Sequence, residues 1–417
     1  MAESSTLGPP KGGHYGVASI DGGITAAKGF TSAALHSGIK VKTGALDLTV
    51  IASEKPVATA GLFTLNLVQA APVILSKEHL ERSSGLSRAI VVNSGCANAC
   101  TGTQGFADAK TMVGEVATSL GCPVEQVLVA STGVIGVNLN MSKVAPGIRA
   151  AVSQLARGKG SETARAIMTT DPFPKECAVR VETASGSFIV GGTAKGSGMI
   201  EPNMATMIGL LTTDAQVAPA VLRRALEESA RDTFNAITVD GECSTNDTLF
   251  AMASGASGVV IDEGNYQALL EGLLTVSRQL AVDIVRGGEG ATKVIRITVE
   301  NARSGDDARQ VARTIANSPL VKTAVHGADP NWGRIVAAAG RSGVKFDPNQ
   351  ATVHVGGVRL FENGLPHDDK APLAAEHMKG TDVDIHVDLG TGGGSKAVIW
   401  TCDLSAEYVR INGEYRT

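Results

Sequence analysis

Residues 195–215, KGSGMIEPNMATMIGLLTTDA, place a glycine-rich approach and the pair Ala205-Thr206 ahead of an apolar run. ATMIGLLTTDA (205–215) reads as a buried strand carrying Thr206 at its head. Such a Thr is usually only a β-former. The same placement also suits a chain cut between Ala205 and Thr206, since an N-terminal threonine carries its own base, the freed α-amine, beside its hydroxyl. That amine titrates near pH 8, so no histidine is required. The small Ala205 leaves its carbonyl open to attack by the Thr206 hydroxyl. The β-branched Thr206 also has few side-chain rotamers, which fixes the direction of that hydroxyl.

Outward from this stretch the pattern is mixed. AVRVETASGSFIVGGTAKG (178–196) alternates as a hairpin turning at Ser185-Gly186 and feeds the glycine loop. RAIVVNSG (88–95) and QVLVAST (126–132) read as buried strands separated by a helix near residues 105–121. Helical periodicity marks residues 218–233 and 265–288, and strands return in 351–361, 382–389 and 396–405. The class is α/β with helices outside. No linker or repeat divides the chain, so a cut at 205/206 yields fragments 1–205 and 206–417 of one intertwined body.

Composition excludes more than it selects. A 417-residue chain with 43% hydrophobic residues supports a large core, and the formal charge of −4 without a basic stripe argues against nucleic acid. No apolar run reaches the ~20 residues of a membrane span. Residues 1–14 show no signal-peptide core and read as a disordered start. Six scattered cysteines then imply reduced thiols and a cytoplasmic setting. Cys96 and Cys100 lack a second ligand pair, and the histidines form no metal motif. His326, before a turn-rich ADPNWG, reads as a loop histidine bonded to backbone. The glycine-rich GGTAKGSGM (191–199) and RGGEGATK (286–293) lack phosphate-loop spacing and suit close approach of backbone to a small ligand.

The chain resembles, along almost its whole length, the self-cleaving ornithine acetyltransferases, also called glutamate N-acetyltransferases, of arginine biosynthesis. Besides 195–215, the matching strings are VVNSGCANACTG (91–102), ASTGVIG (130–136), AIMTTDPFPK (166–175), NAITVDGECSTNDT (235–248), HGADPNWGRI (326–335) and YVRINGEYRT (408–417). Cys96, where many relatives carry a polar residue, and the less acidic RSGDDARQVAR (303–313) depart from the family without touching the nucleophile. The resemblance implies an αββα-like layered fold, akin to N-terminal nucleophile hydrolases but with its own topology. It implies cleavage at Ala205/Thr206, with Thr206 as nucleophile and Thr132-Gly133 as oxyanion donors. It also implies substrate contacts from Lys195, Glu289, Asn412 and Thr417, and from Thr169 or Thr170, with Thr169 favoured. By default Lys195 is a surface lysine, Glu289 a solvated carboxylate after a helix, and residues 408–417 a frayed tail.

The activity implied is acetyl transfer from N2-acetylornithine to glutamate through an acetyl-Thr206 ester, without metal or organic cofactor, in a heterotetramer of two α and two β fragments. Some relatives also use acetyl-CoA, and the residues leave that open. An N-terminal nucleophile aminopeptidase or amidase, delivering the acyl group to water, is the rival reading; a non-enzymatic scaffold, left uncut, is the third.

Overall fold

Alternating aliphatic and β-branched residues build the larger of two sheets, and the computed structural model describes residues 15–201 and 207–414. Among them the larger sheet holds β1 (Gly16–Ile20), β2 (Phe30–Leu35), β3 (Leu48–Phe63), β4 (Leu86–Cys96) and β5 (Val127–Val134). It continues with β6 (Lys175–Thr183), β7 (Gly186–Lys195), β8 (Ile208–Thr213) and β9 (Thr248–Ala253). Their order is β1-β6-β7-β8-β9-β3-β4-β5, with β2 also on β3. The smaller sheet holds β10 (Val294–Ala302), β11 (Thr352–Val355), β12 (Val358–Glu362), β13 (Leu365–Pro366), β14 (Asp382–Asp388) and β15 (Ser395–Cys402), ordered β13-β12-β11-β14-β10-β15.

Strand parity sorts the core into layers. On β3, β4 and β5, Val50, Val91 and Val129 face outward onto α1 (Ala71–Arg82), α2 (Gly102–Leu120) and α3 (Met141–Ser153). Their neighbours Ile51, Ile90 and Leu128 point inward, where Leu210 and Phe250 of β8 and β9 join the same cluster. The short α4 (Gly160–Ala166) touches both β3 and β7 across this concave inner face. Outside β6–β9 lie α5 (Pro219–Arg231) and α6 (Tyr266–Arg286), with Leu222, Leu226, Leu269 and Leu273 packed on Val181, Val190 and Leu249. The layers therefore run helix, half-sheet, half-sheet, helix, as the α/β expectation has it.

β7 pairs antiparallel with β8, Lys195 opposite Ile208, so residues on the two sides of the 205/206 junction share one ladder. The smaller sheet is less legible: it has its own apolar cluster with α7 (Gly305–Ala316), α8 (Pro319–His326), α9 (Trp332–Gly340) and α10 (Ala371–Met378). Ser304 and Ser318 cap α7 and α8 through their hydroxyls. The last element among the described residues is α11 (Ala406–Glu414), which returns to the larger sheet's side of the molecule through Tyr408 and Asn412. All six cysteines are unpaired, and no helix among the described residues is long and apolar enough to cross a membrane.

Candidate active site

Two glycines let the ends of parallel strands β4 and β5 touch. Gly133 sits at φ +130° and Gly95 at φ +100°, a region L side chains rarely adopt. A Cβ on Gly133 would overlap the Gly95 carbonyl carbon and lie 2.5 Å from the Cys96 nitrogen. Thr132 is thereby fixed at a strand end. Asn246, which lines the same cavity as Thr132 and Gly133, braces these strand ends by donating to Ala97 O at 2.6 Å and Ser131 O at 2.9 Å, while Ser131 Oγ donates to Asn93 Oδ1.

Lys195 closes β7 and is 4% exposed, which overturns its default reading as a surface lysine. Its Nζ donates to Thr132 Oγ1 at 3.3 Å. Burial pulls the Lys195 pKa down; Asp171, Asp247 and Glu289 oppose that shift, whereas Lys175 adds to it. Thr169 and Thr170 line the same cavity, of about 150 Å³, together with Thr132, Gly133 and Lys195. Thr169 N donates to Asp171 Oδ2 at 2.9 Å, which orients the turn.

Glu289 follows the end of α6 and is buried rather than solvated. Its backbone N donates to Ser197 O at 3.0 Å, and its Oε2 accepts from Asn412 Nδ2 at 2.8 Å. Its carboxylate occupies the space a Cβ on Gly198 would need. The C-terminus is likewise no frayed tail through Glu414: α11 brings Asn412 into the cavity wall. Asp240 fixes the approach to the junction by accepting from Met199 N at 2.7 Å, Ile200 N at 2.8 Å and Tyr408 Oη at 3.2 Å.

Of the sequence candidates, Thr132, Gly133, Thr169, Thr170, Lys195, Glu289 and Asn412 thus line one cavity. Ala205, Thr206 and Thr417 lie outside the described residues, as does the start at 1–14. Asp171, Asp240, Asn246 and Tyr408 were missed, although each falls inside a quoted string. His326 is corrected: it ends α8 and its ring Nδ1 meets Asp403 Oδ2 at 2.6 Å, a carboxylate partner rather than backbone. Asp403 is anchored in turn by Thr292 Oγ1 and the amides of Thr292 and Lys293. No group of three or more His, Cys, Asp and Glu among the described residues is placed to hold a metal ion.

A family model described as the ArgJ family matches residues 31–417. The chain belongs to the ArgJ family. Similar proteins named "Arginine biosynthesis bifunctional protein ArgJ" include one from Symbiobacterium thermophilum, 46% identical over 95% of this chain and 99% of its own. Another, from Chlorobium chlorochromatii, is 49% identical over 94% of this chain and 91% of its own. Among solved structures, an ornithine acetyltransferase from Mycobacterium tuberculosis complexed with ornithine is 38% identical, with a TM-score of 0.41, covering 46% of this chain and all of that one. The ArgJ protein from Bacillus halodurans is 37% identical, with a TM-score of 0.47, over 49% of this chain and 97% of that one.

Proposed function

We propose that this chain moves an acetyl group from N2-acetylornithine to glutamate by a two-step exchange through Thr206. The observation that carries the reading is the meeting of Lys195 Nζ and Thr132 Oγ1 at 3.3 Å in a cavity also walled by Gly133, Glu289 and Asn412. A cation, hydroxyl and backbone donors, and a carboxylate there match the groups of an acetylated amino acid.

The Thr206 hydroxyl first attacks the Ala205 carbonyl; the C–N bond breaks, freeing the Thr206 amine, and water hydrolyses the resulting ester to restore the Thr206 hydroxyl and leave Ala205 with a free carboxylate. In turnover that amine takes the hydroxyl proton as Thr206 attacks the acetyl carbon of N2-acetylornithine. The Thr132 hydroxyl and Gly133 N–H donate to the developing oxyanion, a contribution of roughly 3 kcal/mol per donor. Collapse breaks the amide, and the leaving ornithine nitrogen takes the proton back. Glutamate's amine then attacks the ester and leaves as N-acetylglutamate, regenerating Thr206. Lys195 receives a substrate carboxylate, Glu289 a substrate ammonium, and Thr169, Asn412 and Thr417 orient the substrate.

No metal or organic cofactor enters these steps. By the same resemblance we assign a cytoplasmic heterotetramer of two α and two β fragments, with acetyl-CoA as a second acetyl donor to be assayed directly. The test is ornithine release from N2-acetylornithine with and without glutamate. Strong dependence on glutamate supports transfer, and equal release in both conditions assigns an amidase instead.

A further inference from the structure

Behind the residues that line the cavity lies an ion pair that the proposed reaction does not use. Lys175 Nζ and Asp171 Oδ1 lie 2.6 Å apart, and neither side chain has any exposed surface. Burying such a pair is expensive, and well-packed apolar residues in its place are often as stable or more so. Stability alone therefore does not account for it.

Its connections lead to the site. Asp171 Oδ1 also accepts from Gly196 N at 2.8 Å, the residue after Lys195, while Oδ2 accepts from Thr169 N at 2.9 Å. One carboxylate thus ties the Thr169 turn to the end of β7. Lys175 lies opposite Ala194 in the β6–β7 ladder and has Gly287, just past α6, against its ammonium end. We propose that Asp171 and Lys175 are positioning residues for Lys195, Asp171 tying the end of β7 to the Thr169 turn and setting a negative charge behind Lys195, and Lys175 sharing that charge.

Five charged groups face Lys195 from the surrounding elements: Asp171 and Lys175, Asp247 ahead of β9, Glu289 after α6, and Lys40 ahead of β3. Asp171 acts most strongly among these charges, and it is the carboxylate Lys175 shares. Removing Asp171 leaves two ammonium groups facing each other in a dry site. Removing Lys175 leaves Asp171 to Lys195 alone. The two losses therefore push Lys195 in opposite directions, which simple loosening of the site does not do.

This inference rests on the reading that Lys195 meets substrate as an ammonium, but it can be tested without turnover. The rate of reductive methylation of Lys195 by formaldehyde and cyanoborohydride is followed against pH by peptide mass mapping, on cleaved or uncleaved chain. In Asp171→Asn, which keeps one of the two acceptor oxygens that Gly196 N and Thr169 N use and removes the charge, the Lys195 titration should move to lower pH by on the order of one unit. In Lys175→Met it should move to higher pH, and Lys175→Arg should restore the wild-type curve. In cleaved enzyme the basic limb of ornithine release should follow the same order. Curves that coincide in all four proteins, or shift the same way in Asp171→Asn and Lys175→Met, overturn the proposal. Absence of ornithine release in wild type alongside opposite labelling shifts would instead count against the acetyltransferase reading and leave the positioning roles standing.

Discussion

Asn412 Nδ2, on the last turn of α11, donates to Glu289 Oε2 at 2.8 Å and so fastens the C-terminal helix to the loop after α6. Residues 123 positions apart in the chain form one wall of the cavity. Deleting residues 414–417 should leave cleavage at Ala205/Thr206 intact, because that step needs only Thr206 and its oxyanion donors. Ornithine release should fall on the order of a hundredfold, the usual consequence of misplacing substrate by about 1 Å. Steady-state rates of cleaved, folded truncated enzyme equal to those of the full chain would make the tail a spectator.

Thr132→Val keeps the shape of the side chain and removes both the oxyanion donor and the acceptor for Lys195 Nζ. Cleavage and transfer both pass through an oxyanion, so both should slow, by about a hundredfold for a loss of roughly 3 kcal/mol. Time courses of fragment appearance and of ornithine release check this together. A slowed transfer with unaltered cleavage would confine Thr132 to substrate handling.

Gly133→Ala meets two obstacles, the φ of +130° and the backbone of Gly95 and Cys96 in the space a Cβ would take. The β4–β5 contact must open. We expect a loss of about 1–3 kcal/mol in stability, read from the urea midpoint, and slow cleavage because the Gly133 N–H moves with it. An unchanged midpoint and cleavage rate would show that the strand ends do not need to touch.

Much of this site was legible in the sequence because its parts sit at the ends of strands that the sequence marks plainly. QVLVAST delivers Thr132 from β5, and the hairpin before the glycine loop delivers Lys195 from β7. The roles came from resemblance to a known family, since a Thr-Gly after a strand or a lysine before a glycine is ordinary by itself. What stayed hidden depends on partners distant in the chain. Asp171 looks like a turn residue until Lys175 and Gly196 close around it, and Asp240 gains its meaning from Met199, Ile200 and Tyr408. Burial of Lys195 was also illegible, because a lone lysine in sequence defaults to solvent. The separate core of the smaller sheet escaped for a related reason: its short strands and helices cohere only through long-range pairing such as β10 with β14.

Asp171 also gives an acid limit to stability. Burial alone would raise its pKa, but Lys195, Lys175 and the Thr169 amide hold the carboxyl at about 2, below its ordinary 3.8. A carboxyl held low in the folded state stabilises it above the ordinary value, and that contribution is lost as pH falls through about 2. The urea midpoint of wild type should therefore drop between about pH 4 and pH 2 more steeply than that of Asp171→Asn. Parallel curves for the two proteins would remove Asp171 from the acid transition.

The central claim is that acetyl passes through Thr206 on its way to glutamate. Cleaved enzyme mixed with N2-acetylornithine alone and quenched in acid should show, by intact mass and peptide mapping, one acetyl group on fragment 206–417, located at Thr206. Adding glutamate before the quench should discharge it and yield N-acetylglutamate. A fragment that never carries acetyl while ornithine and N-acetylglutamate accumulate, or an acetyl group that water removes as fast as glutamate does, would contradict the account.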